Sequence, residues 1–73
     1  MKSVITRFKK LAIGDVYDFH GHLFIKLSNK YDISKSPAKQ KYPNSLDLET
    51  QHYTVCSYNA IVTHVKSLRD FKP

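Results

Sequence analysis

Cysteine is almost missing from this chain. Cys56 stands alone among 73 residues, so no intramolecular disulfide can staple the fold. A lone thiol fits a reducing compartment. Glycine is nearly as scarce: Gly14 and Gly21 are the only two. That leaves no glycine-rich loop to cradle a phosphate. No apolar run is long enough for an export signal or a membrane-spanning helix, so a cytoplasmic location is expected. Acidic side chains are few, six against twelve lysines and arginines, for a net charge of +6. So basic a small domain points to an anionic partner, either nucleic acid or an acidic protein surface.

The groups needed for catalysis or metal binding are present but badly spaced. Asp15 and Asp18 lie three apart in a strand region, which sends them to opposite faces. Asp47 and Glu49 share a face of an alternating segment, where solvated carboxylates are ordinary. His20, His22, His52, His64 and Cys56 offer nitrogen and sulfur, yet no Cys-x-x-Cys or His-x-x-x-His spacing occurs. Neither an enzyme, a metal site nor a cofactor is expected.

What the chain does have is a hairpin. Val16–Phe19 and Leu23–Leu27 are rich in aromatic and branched residues, and His20-Gly21 between them suits a two-residue turn. That turn fixes a register of Phe19 against His22, Asp18 against Leu23, Tyr17 against Phe24 and Val16 against Ile25. Val16, Asp18, Leu23, Ile25 and Leu27 then share one face. Tyr17, Phe19, His22, Phe24 and Lys26 share the other. Two largely apolar faces mean either that the sheet curls into a small barrel or that the aromatic face awaits a partner.

Around the hairpin the chain reads as short strands and one long loop. Met1 to Ile13 is expected to be an irregular basic lead-in whose Phe8, Leu11 and Ile13 pack on the sheet. Its β-branched Val4, Ile5 and Thr6 argue against a helix. Ser28 to Ser45 is expected to be a mobile loop carrying Lys30, Lys35, Lys39 and Lys41 against a single acid, Asp32. Leu46–Thr50, Tyr53–Ser57 and Ala60–Val65 read as strands, with turns at Thr50–His52 and a 3₁₀ turn near Ser57–Asn59. Lys66 to Pro73 reads as a basic tail. The expectation is one mainly β domain over residues 1–73, a small antiparallel sheet or open SH3-like barrel with little helix. Its aromatics are expected chiefly in the core, with stacking on bases as a lesser use.

The pattern Phe8-x-x-Leu11-x-x-Gly14-Asp15-Val16-Tyr17-x-Phe19-x-Gly21-His22-x-Phe24-x-Lys26-Leu27, followed by Leu46-Asp47-Leu48-Glu49-Thr50, resembles a set of small tailed-phage proteins. In length, in its N-terminal Met1-Lys2-Ser3-Val4-Ile5-Thr6 and in basic character, the whole chain is similar to transcription regulators of lytic phages that infect Xanthomonas. The resemblance implies a protein that acts in the cytoplasm of the bacterial host and binds its RNA polymerase through the β and β′ subunits. It implies inhibition of initiation by displacement of the σ factor, and antitermination during elongation. It assigns no individual contact residue.

The residues themselves suggest where a partner is gripped. Lys2, Arg7, Lys9 and Lys10 form one dense basic group, and Lys66, Arg69 and Lys72 a second. Phe8 or Phe71 is the apolar anchor, provided that it is not spent on the core. A basic nucleic-acid-binding β module is the alternative reading. Free of its partner, the chain is expected to be a monomer.

Overall fold

The computed structural model describes residues 4–68. They form one open antiparallel sheet of six strands: β1 (Val4–Arg7), β2 (Asp15–Phe19), β3 (His22–Lys26), β4 (Ser45–Asp47), β5 (Tyr53–Thr54) and β6 (Ile61–Ser67). The spatial order is β1-β6-β2-β3-β4-β5, so β1 and β5 are the edges. Among the described residues, helix is confined to single 3₁₀ turns at Phe8–Lys10 and Pro37–Lys39. Among the described residues, no helix is long and apolar enough to cross a membrane. The protein is mainly β, as its sequence predicts.

The hairpin forms in the predicted register, residue for residue. Its turn works because His20 and Gly21 both take positive φ, +53° and +82°, which matches the twist of the flanking strands. Asp18 Oδ1 steadies the turn by accepting the Gly21 amide at 3.1 Å. The aromatic face is the interior. Tyr17 is buried and stacks on Phe24 at 5.5 Å. Phe8 meets Tyr17 edge-on at 5.4 Å. Leu11, Cys56 and Val62 complete the cluster, with Phe19, Phe24 and Ala60 against it. The segments that follow the two edge strands thus fold onto the same face and supply the partner that this face needs. Val16 and Ile25, paired on the opposite face, are buried as well.

Three local expectations are corrected. Val4–Arg7 is a strand, not an irregular lead-in: β6 leaves an edge open, and β-branched residues suit it. Phe8 and Leu11 pack inward as expected, while Ile13 stays partly exposed. Strand β4 stops at Asp47, short of the predicted Thr50, because the Asp47 carboxylate accepts the Glu49 and Thr50 amides at 2.8 and 3.2 Å. With Gln51 at φ +59°, that closes the hairpin to β5. Strand β5 ends at Thr54 because Asn44 takes over its continuation. Asn44 Oδ1 accepts the Cys56 amide at 2.8 Å, and Asn44 Nδ2 donates to the Cys56 carbonyl at 2.9 Å. The turn before β6 is present, closed by the Ala60 amide on the Ser57 carbonyl at 3.1 Å.

Candidate interaction surfaces

The predicted grip residues part company in the fold. Lys2, Arg69, Lys72 and the alternative anchor Phe71 lie outside the described residues. Arg7 ends β1 opposite Ile61, at the start of β6. Lys66 pairs with Val16 at the far end of β6. At strand rise these two cations stand about 16 Å apart. Lys9 and Lys10 are exposed on the turn after β1, and the Lys9 amide donates to the Tyr58 carbonyl at 3.0 Å. Arg7, Lys9 and Lys10 therefore form one basic corner, and Lys66 is not part of it. Phe8 must be withdrawn as a surface anchor. It is 0% exposed, because the turn after β1 drives its ring into the aromatic interior.

Edge strand β1 supplies the apolar contact instead, a feature hidden while its residues read as a lead-in. Ile5 is 75% exposed and Ile61 is 61% exposed. Since Arg7 faces Ile61 and Ile5 faces Thr63, Ile5 and Ile61 are diagonal neighbours on one face. The Arg7 guanidinium donates to the Asn59 carbonyl at 2.9 Å, which fixes its direction beside them.

The interior holds a cation that sequence reading placed on the aromatic face without assigning it a role. Lys26 is 0% exposed. Its Nζ donates to the Leu11 carbonyl at 2.7 Å and the Phe8 carbonyl at 3.2 Å, and lies 4.7 Å from the centre of the Phe8 ring. Burial holds this ammonium below the usual lysine range, opposed by the carboxylate of Asp15. Asp15 is itself occupied, accepting the Ala12 amide at 2.8 Å and the Ser67 hydroxyl at 2.6 Å, with His64 Nε2 at 3.7 Å. Burial also pushes the Tyr17 phenol and the Cys56 thiol up from their ordinary values.

Concavities among the described residues include two of note. One, of about 300 Å³, lies over Phe19, Phe24, Val55 and Cys56 beside Pro37. The other, of about 240 Å³, lies within the long loop and is lined by Lys30, Lys35, Lys41, Tyr31 and Tyr42. The loop is built around one side chain. Gln40 Nε2 donates to the Asp32 carbonyl at 2.7 Å and the Lys35 carbonyl at 3.0 Å, while Gln40 Oε1 accepts the Asp32 amide at 2.8 Å. Tyr31 stacks on Tyr58 at 5.6 Å. The candidate stacking aromatics divide accordingly: Tyr17 is in the core, Phe19 and Phe24 pack against it, Tyr31 and Tyr58 are used on each other, and Tyr42 and Tyr53 are exposed. Among the described residues, no group of three or more histidine, cysteine or acidic side chains is placed to hold a metal ion.

In comparisons with known proteins, no protein-family model, no curated protein and no solved structure matches the chain.

Proposed function

We propose that this chain is a non-catalytic transcription regulator that binds host bacterial RNA polymerase through its β and β′ subunits. In this reading it displaces the σ factor at initiation and acts as an antiterminator in elongation. The polymerase comes from the full-length resemblance to phage regulators. The observation that carries the docking surface is the corner where the open edge β1, exposed Ile5 and Ile61, and the cations Arg7, Lys9 and Lys10 meet. An open edge offers unpaired backbone groups to a partner strand. Covering the two isoleucines contributes about 3 kcal/mol. The cations steer the encounter with an acidic surface and orient it. Such a regulator shifts polymerase between states only by binding one of them better, so its effect is stoichiometric.

The test uses purified polymerase and the full chain. Lys9→Glu with Lys10→Glu slows association and weakens its salt dependence, while Ile5→Asp speeds dissociation. Inhibition saturates when regulator matches polymerase. Unchanged affinity of both variants at low and moderate salt removes the corner from the interface. Full inhibition by a regulator far scarcer than polymerase rules out simple occupancy.

A further inference from the structure

The long loop holds two cations, Lys30 and Lys41, that no acid among the described residues neutralises. Lys30 Nζ and Lys41 Nζ lie 5.5 and 5.7 Å from the centre of the same ring, that of Tyr42. Among the described residues neither has a carboxylate within ion-pair distance. The loop's single acid, Asp32, is spent on its own turn: its Oδ1 accepts the Ser34 amide at 3.0 Å and the Ser34 hydroxyl at 2.6 Å, and its Oδ2 lies 3.9 Å from Lys35. Those Ser34 bonds hold the Asp32 carboxyl below the usual carboxylate range. Two ammonium groups held within about 11 Å of each other by one ring repel, and an anion bound close to both relieves that repulsion. The backbone that presents them is fixed in advance by the Gln40 bonds, so binding there needs little reordering of the loop.

We propose that this loop pocket is a binding site for single-stranded nucleic acid, with Lys30 and Lys41 on backbone phosphates and the Tyr42 ring against a base. Tyr42 is 52% exposed, so a base can reach its ring once a lysine swings from the ring onto phosphate. The cations of the pocket are all lysine, point charges that take phosphate without demanding a bidentate geometry. An acidic peptide would make no use of the aromatic face. The site is sequence-independent, because it reads backbone charge and any base's π-face. It lies on the loop between β3 and β4, and shares no residue with the β1 corner proposed to meet polymerase.

The experiment is fluorescence anisotropy of the full chain with a labelled oligouridylate of about 12 nucleotides, matched to the usual reach of such sites, titrated across salt. Lys30→Gln with Lys41→Gln is expected to weaken binding about tenfold or more at low salt and to lower the slope of log affinity against log salt by about 1.4, two phosphate contacts' worth. Tyr42→Ala is expected to weaken binding about fivefold or more with the slope unchanged, since it removes stacking and no charge. Lys9→Gln with Lys10→Gln serves as the control of equal charge change. No binding at low salt, no effect of the loop pair, an equal loss in the control pair, or competition by polyglutamate as strong as by unlabelled RNA would each overturn the site. Affinity for nuclease-treated polymerase separates the two readings. It is expected to survive the loop substitutions. Its loss there, with RNA binding intact, assigns the loop to the protein interface and overturns the proposal. Failure of the unsubstituted chain to bind polymerase, with RNA binding as expected, sinks only the polymerase reading.

Discussion

Lys26 closes strand β3 inside the protein, its ammonium held by two backbone carbonyls, whereas Lys30, just beyond the same strand, stands in an exposed loop beside a tyrosine ring that it shares with a second lysine. The residue type is the same and the surroundings are opposite. In the interior, polar groups are used within the protein: Lys26 on the Phe8 and Leu11 carbonyls, Asn44 on the Cys56 backbone, and the Tyr17 hydroxyl on the Ser45 hydroxyl at 2.5 Å. No buried side-chain polar atom among the described residues lacks a partner. In the loop, Gln40 is spent on backbone, Asp32 on Ser34 and Lys35, and Lys30 and Lys41 are left over. Polar chemistry inside the sheet specifies the fold, and polar chemistry in the loop is available to a ligand.

The sharpest way to break that contrast is to empty the interior. Phe8→Ala removes the ring that joins the N-terminal turn to Tyr17 and is expected to cost about 3–5 kcal/mol. A domain of this size holds only about 4–11 kcal/mol in total, so urea denaturation should show most of its stability gone. Asn44→Ala comes next. It strands the buried amide and carbonyl of Cys56, at about 2–3 kcal/mol, visible as a lower urea midpoint with the slope retained.

Lys26 separates stem from charge. Lys26→Ala loses packing and both carbonyl bonds, about 3 kcal/mol. Lys26→Met keeps the stem and removes a buried charge. It leaves the Leu11 carbonyl unpaired, but the Phe8 carbonyl still accepts the Leu11 amide at 3.0 Å. The net loss should be only about 1 kcal/mol.

Titration sharpens the same point. The folded state holds the Lys26 ammonium below its ordinary 10.5. From that lowered value up to about 10.5 the unfolded chain binds the extra proton, so this group makes stability rise with pH and lose it again on acidification. Tyr17 acts with the opposite sign: its raised folded value makes stability fall once pH passes its ordinary 10.0. The difference between the unsubstituted protein and Lys26→Met, followed by urea midpoints from pH 7 to 10, should therefore grow with pH. A flat difference would place the ammonium in contact with water.

The smallest effect belongs to the loop. Lys30→Gln with Lys41→Gln should change stability by less than about 0.5 kcal/mol, leaving the melting temperature nearly unmoved.

The hairpin was legible to the residue because period-two alternation and a His-Gly turn leave one register. Strand β1 was not, because Val4, Ile5 and Phe8 fit several spacings and its pairing depends on β6, far along the chain. Asp47 and Asn44 shortened the next two strands through side-chain bonds to backbone, which composition does not announce. Alternation put Lys26 on the aromatic face but not against the carbonyls that collect it. The basic N-terminal corner was readable as charge. The separation of Lys66 from Arg7 needed the sheet order.

That order also sets a clock. Val4 pairs with His64, about 60 residues later. At a synthesis rate of about 5–20 residues per second, β1 waits about 3–12 s for its neighbour to be made. Phe8 follows β1 and waits with it, so the aromatic interior stays unsealed through that interval. A sheet whose first strand pairs with its last folds by distant contacts and hence slowly. During the wait, Val4, Ile5 and Phe8 have no partner strand or interior to cover them, and folding must outrun aggregation.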